Sequence, residues 1–125
     1  MRQIFVNELS PKHQEKIKNH LAKSKPKTLL VVGYDEILWE LESYFEDIMI
    51  IDTDIQKLRV AEKIAEARNL TPKIKIQNST IEAIDRRVDV ILYHNPVPLN
   101  IKEILYPGGL LILHTSPEIQ TLTAI

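Results

Sequence analysis

A chain of 125 residues, 44% apolar and 26% charged, with a formal net charge of −1, has the size and balance of one soluble globular domain. Acids and bases are mixed along it, which argues against strong nonspecific binding to nucleic acid and leaves only a local basic patch open. The absence of cysteine excludes disulfides, thiolate zinc sites and a Cys nucleophile, and fits a reducing cytoplasm.

No apolar run approaches the about 20 residues needed to span a bilayer. Residues 1–8 lack the apolar centre of a signal peptide. The expectation is therefore a cytoplasmic protein without a membrane partner.

Taken in chain order, residues 3–6 read as either a short strand or an arm. Ser10-Pro11 is a helix start, with Ser as the cap and Pro at the first helical position. The helix runs to about Lys23 with Ile17 and Leu21 on one face. Lys23-Ser24-Lys25-Pro26-Lys27 is the longest basic cluster and reads as a solvated linker. Thr28-Leu29-Leu30-Val31-Val32-Gly33 follows, a strand apolar on both faces that ends in a glycine turn and belongs in the middle of a sheet. A helix is expected over residues 36–45, from the spacing of Ile37, Leu38, Leu41 and Phe45. Trp39 reads as packing.

A second strand, Ile48-Met49-Ile50-Ile51-Asp52, stops on an acid. The next helix covers about 55–69, with Leu58, Ala61, Ile64 and Ala65 at helical spacing. Residues 73–77 alternate like a half-covered third strand, and 80–84 suit a short helix. Residues 88–93 form an apolar fourth strand. A short helix over 100–105, a turn at Tyr106-Pro107-Gly108-Gly109 and a fifth strand over 110–114 complete the pattern. Strands alternating with helices from residue 28 onward mean an α/β fold with a mostly parallel sheet.

In such sheets ligands sit beyond the carboxyl ends of the strands, where the strand order reverses. Gly33, Tyr34, Asp35 and Glu36 stand there after the first core strand. Asp52, Thr53 and Asp54 follow the second, and Asn78, Ser79 and Thr80 the third. His94, Asn95 and Pro96 follow the fourth, and His114, Thr115 and Ser116 the fifth. Asp52 suits the hydroxyls of a ribose, or else caps the next helix; Asp54 is the better candidate for that cap. Asp35 and Glu36 place two negative charges where a dinucleotide would put its pyrophosphate. That disfavours NAD, FAD and ATP and favours a ligand with a positive centre. Alternatively Asp35 caps the following helix and no ligand enters. His94, His114 and Asp35 could supply a three-ligand metal set, or else the two histidines are unrelated polar strand ends; Ser79 and Ser116 lack the glycine elbow of a nucleophilic serine. Neither a metal site nor a catalytic residue is assigned.

At this point the order of elements resembles the class I, Rossmann-like S-adenosylmethionine-dependent methyltransferases. Leu29-Leu30-Val31-Val32-Gly33 resembles their first motif. Ile50-Ile51-Asp52-Thr53-Asp54-Ile55 resembles the acidic second motif. Ile74-Lys75-Ile76-Gln77-Asn78-Ser79 and Val88-Asp89-Val90-Ile91-Leu92 resemble the third and fourth strands. Leu105-Tyr106-Pro107-Gly108-Gly109-Leu110-Leu111-Ile112-Leu113 resembles the Leu-Lys-Pro-Gly-Gly turn before the fifth. The resemblance covers residues 28–116.

The departures are a single surviving glycine, Gly33, and Asn78-Ser79 in place of the adenine-side acid. Asn95-Pro96-Val97-Pro98 also lacks the aromatic of the amino-group methyltransferase signature, and the chain is too short for the family's last two strands.

The resemblance implies a single three-layer α/β domain over 1–125, with an arm and helix at 1–24 and a core at 28–116. Its five-stranded, mostly parallel sheet would run in the order third-second-first-fourth-fifth. It further implies S-adenosylmethionine as the cofactor. Gly33 would lie by its methionine part, Asp52 by its ribose, Asn78 or Ser79 by its adenine, and Asn95 near the methyl acceptor; Tyr34 and Thr53 would also be cofactor-binding. Three functions follow: a small methyltransferase-like protein, a non-catalytic relative acting as a binding or assembly module, or a binder of another nucleoside. The fifth strand, left at an edge, needs a cover: residues 3–6, the tail 121–125, or a second copy in a homodimer.

Overall fold

The computed structural model describes residues 2–6, 11–93 and 104–114. Six strands, β1 (Arg2–Val6), β2 (Thr28–Val32), β3 (Asp47–Asp52), β4 (Ile74–Asn78), β5 (Val88–Tyr93) and β6 (Leu105–His114), form one sheet in the order β1-β6-β5-β2-β3-β4. All the pairings are parallel. The five core strands therefore take the order expected from the sequence, and the sheet gains a sixth.

The gain comes from the N-terminal arm. β1 pairs with β6 from Arg2 opposite Leu110 to Val6 opposite His114. The edge expected to need a cover is thus covered by the same chain. A second copy could pair along β6 only if β1 first left it. The tail, residues 121–125, lies outside the described residues.

α1 (Pro11–Ser24), α2 (Leu38–Leu41) and α3 (Ile55–Ala67) pack on one face of the sheet. Ile17 and Leu21 of α1, Leu38 and Leu41 of α2, and Leu58, Ala61 and Ala65 of α3 bury against Leu29, Val31, Ile48, Ile50, Val90 and Leu92. Strand residues alternate between faces. Leu30, Ile51, Ile91 and Leu111 consequently form a second core on the other face. Among the described residues, that face is covered by a short 3-10 turn, Ile81–Ala83, and by Ile104 and Leu105.

Two segments depart from expectation. The helix foreseen over 36–45 is α for Leu38–Leu41 only and passes into a 3-10 turn at Glu42–Tyr44. Its first amides bond three residues back, Leu38 N–H to the Asp35 carbonyl at 3.1 Å and Trp39 N–H to the Glu36 carbonyl at 3.1 Å. Glu46 N–H and Asp47 N–H already bond the Lys27 carbonyl, at 2.8 and 3.1 Å. The chain must reverse early to start β3 beside β2, and a full helix does not fit in between.

The second departure is the Tyr106–Gly109 turn, which is built into β6. Val88 pairs with Leu105 and Val90 with Leu110, so four residues of β6 lie opposite Asp89. This is an enlarged bulge. Gly109 is required there, since a Cβ would sit 2.8 Å from the Tyr106 carbonyl oxygen and 3.0 Å from that of Asp89. Of the short helix foreseen over 100–105, residues 100–103 lie outside the described residues and Leu105 already belongs to β6.

Two outcomes follow from this packing. Gly109→Ala should destabilise the fold by about 1–3 kcal/mol, because both clashing atoms are backbone and cannot swing aside. A denaturant midpoint equal to wild type would show that the bulge relaxes freely. Deleting residues 1–6 should bare the β6 edge and raise self-association in sedimentation velocity at equal concentration. Unchanged sedimentation would mean that another segment can cover β6.

Candidate functional site

A crevice of about 300 Å³ opens at the carboxyl ends of β2, β3 and β5. This is where the strand order reverses, with β3 and β4 on one side of β2 and β5 and β6 on the other. Its apolar floor is Val32, Ile51, Ile81 and Tyr93, all from the second core or packed against it. The crevice therefore opens on the face opposite the three helices.

Gly33 closes β2. Its N–H donates to the Ile51 carbonyl at 2.8 Å and its φ is 83°, a left-handed value at which a side chain would be strained. The turn this permits brings the next amide, Tyr34 N–H, to Asp52 Oδ2 at 2.8 Å. The other oxygen, Oδ1, accepts from Asp54 N–H at 2.8 Å. One carboxylate thus holds both the loop after β2 and the turn into α3. Each ionised carboxylate oxygen accepts more than one donor, so Asp52 retains acceptor capacity toward the crevice. Asp54 caps α3, accepting from Gln56 N–H at 2.9 Å.

Of the residues singled out in the sequence, Gly33, Asp52, Thr53 and Ser79 line the crevice together. Ser79 Oγ also accepts from Gln77 Nε2 at 3.0 Å. Tyr34 and Asn78 do not line it. Tyr34 turns to the helical face, where its hydroxyl accepts from Trp39 Nε1 at 2.9 Å and Arg68 lies 5.4 Å over the Trp39 ring. Asn78 is exposed at the end of β4, opposite Asp52 in register. Asn95 and His94 lie outside the described residues, as do Thr115 and Ser116. Among the described residues no three His, Cys, Asp or Glu side chains gather as a metal site.

The charge in the loop is distributed otherwise than the sequence implied. Asp35 is buried, 8% exposed, and accepts from Ile37 N–H at 3.1 Å at the start of the short helical segment. It bonds within the turn before α2, whose N-cap is Ile37, while Glu36 is exposed. The crevice is acidic for a different reason. Among the described residues its charged lining is Asp52 and Glu82, joined by the hydroxyls of Thr53, Ser79, Thr80 and Tyr93, with no Lys, Arg or His.

Thr80, Ile81, Glu82 and Tyr93 are the lining residues that sequence reasoning left out of the site. Tyr93 was legible as the last residue of an apolar strand at the ligand end of the sheet. Glu82 was not, because only the tight turn after β4 brings this exposed residue to the rim of the crevice. Its carboxylate is held below the usual range by its own backbone N–H and by the Thr80 hydroxyl. Burial, and then the charge of Glu82, push the Tyr93 phenol above its ordinary value.

No protein-family model and no curated protein matches the sequence. Solved structures do match in three dimensions. A methyltransferase from Geobacter sulfurreducens superposes with a TM-score of 0.62 at 19% identity, over 86% of this chain and 71% of that one. An S-adenosylmethionine-dependent methyltransferase from Clostridium acetobutylicum gives 0.62 at 17% identity, over 80% and 48%. The O-MT region of StiE gives 0.59 at 18% identity, over 84% of this chain. The chain spans 47% of the length of that last structure. At these identities the likeness is one of fold. The chain has the Rossmann-like α/β fold of the S-adenosylmethionine-dependent methyltransferases, with a parallel N-terminal strand beside β6.

Proposed function

We propose that this is a small methyltransferase-like protein that binds S-adenosylmethionine at the carboxyl ends of β2 and β3. The observation that carries the reading is the crevice itself: two carboxylates and four hydroxyls, and no cationic side chain among the described residues, at the strand-order reversal of a methyltransferase fold. A phosphate ligand would meet repulsion from both Asp52 and Glu82. A sulfonium with a ribose and an amino group would meet acceptors. In this reading Gly33 lets the methionine part approach the backbone, Asp52 and Thr53 serve the ribose, and Ser79, with Asn78 at the rim, serves the adenine. The family resemblance assigns Asn95, outside the described residues, to the methyl acceptor. Tyr34 acts through its backbone by holding Asp52. The protein's part in methyl transfer is then positioning and exclusion of water. Homodimerisation through β6 enters this reading only as exchange of β1 between two copies.

A second reading is a relative that keeps the fold as a binding or assembly module. The engagement of Asp52 by two backbone amides favours it, since a clasp of that kind is useful without any ligand.

Calorimetric titration with S-adenosylmethionine, and with NAD and ATP as controls, separates the two. The first reading expects heat with S-adenosylmethionine alone and a loss of affinity of about 10-fold or more in Asp52→Ala, the range of a hydrogen bond to a charged acceptor. Because Ala also frees Tyr34 N–H, Asp52→Asn, which keeps one acceptor oxygen, should fold more stably and bind weakly. An absence of heat up to millimolar ligand supports the module.

The electrostatics of the same crevice make a further outcome measurable. Tyr93 has its pKa raised above the ordinary 10.0 in the folded protein. Its contribution to stability is full below about pH 10 and is lost as pH rises through the folded value. Wild type should therefore lose stability more steeply above pH 10 than Tyr93→Phe. Glu82→Gln should bring the phenol back toward 10, read by phenolate absorbance. Identical profiles would show that the charge of Glu82 does not reach the ring.

A further inference from the structure

We infer that Trp39, on the helical face of the sheet, is a positioning residue for the cofactor site in the crevice. The inference rests on the cofactor reading above. It adds a residue that stands outside the crevice lining and acts through Tyr34 on Asp52.

Tyr34 is held at two points. Its N–H donates to Asp52 Oδ2 at 2.8 Å, and its hydroxyl accepts from Trp39 Nε1 at 2.9 Å. The two rings meet tilted at 60°, with centroids 6.5 Å apart, and both pack against the core of the helical face. Trp39 is itself fixed. Its backbone N–H donates to the Glu36 carbonyl at 3.1 Å, and the Arg68 guanidinium lies over its ring, 5.4 Å from the centroid. One residue thus joins the indole on one face to the carboxylate that lines the crevice.

Gly33 makes the second hold useful. With φ at 83° and no side chain, it is a freely turning joint directly before the Tyr34 amide. Asp52 accepts from that amide only while the amide keeps its direction. Packing alone sets direction loosely, because tilted rings slide, whereas a hydrogen bond weakens steeply once it bends. The Trp39 bond fixes the Tyr34 ring along its length and, through Cα, the peptide that meets Asp52. A carboxylate released from Tyr34 would turn about its own torsions, and ordering it again on binding would cost affinity.

The test is calorimetry of S-adenosylmethionine on wild type, Trp39→Phe, Tyr34→Phe and the double variant, with amide exchange and denaturant midpoints measured without ligand. Either single substitution should weaken binding roughly two- to tenfold, the scale of one neutral hydrogen bond, and the double variant should lose no more than the larger single loss. Tyr34 N–H exchange should quicken in the same variants more than that of buried Val31. Trp39 is the only tryptophan of the chain, so in wild type its emission should change as the cofactor binds, and Tyr34→Phe should reduce that change. A lower denaturant midpoint with affinity and the Tyr34-to-Val31 exchange ratio unchanged would make Trp39 packing alone. That result would overturn the inference and leave the cofactor reading intact. So would additive losses in the double variant, since the two side chains would then act separately. No heat with wild type would overturn the cofactor reading and this inference with it.

Discussion

The central strand β2 is fastened at each end by one carboxylate, and the rest of the architecture hangs on those two fastenings. At its foot, Asp89 of β5 accepts through Oδ2 from Lys27 N–H, Thr28 N–H and the Thr28 hydroxyl, at 3.0, 3.1 and 3.1 Å. Asp89 N–H donates in turn to Thr28 Oγ1 at 3.0 Å. At its head, Asp52 of β3 accepts from Tyr34 N–H. The first tie joins β2 to β5 and the second joins it to β3, so the two halves of the sheet meet in a fixed register. Backbone donors at strand ends lack ladder partners and cost free energy if left unpaired, which is why acids occupy both places.

From that frame the position of the crevice follows. Three helices cover one face, and among the described residues only a short turn, Ile104 and Leu105 cover the other. The turn after β4 is too short to cap the upper edge of the second core. It leaves Val32, Ile51 and Tyr93 facing an open space, and it carries Thr80 and Glu82 to its rim. The acidity of the crevice is thus a product of topology. Asp35, the acid nearest Gly33, is buried and bonds Ile37 N–H in the turn before α2.

The arm shows the same economy at the sheet's far edge. β6 carries Leu110, Leu111 and Ile112, all buried, and an unpaired edge beside them would invite association. β1 supplies that pairing from the same chain, in parallel, so α1 starts from the carboxyl-end side of the sheet and runs back across its face. The enlarged bulge opposite Asp89 lets β6 keep register with β5 while Gly109 passes against two backbone carbonyl oxygens.

The order of the five core strands came from the family resemblance, not from any period, while the sequence by itself determined the α/β class and the placing of Gly33, Asp52, Thr53 and Ser79 at or just beyond strand ends. These are consequences of local period and of residues that terminate strands: apolar runs of strand length, a glycine at a left-handed turn, an acid at a strand end. It also left β1 open as a strand or an arm, because residues 3–6 carry no partner of their own. Only the tertiary structure decided which face each end residue joins. Tyr34 went to the helical face with Trp39 and Asp35 was buried in the turn beside Ile37, while Glu82 and Tyr93 came to the crevice. The reason is physical. A side chain's face depends on the twist and register of strands far apart in the chain, and on turns too short for any period to declare.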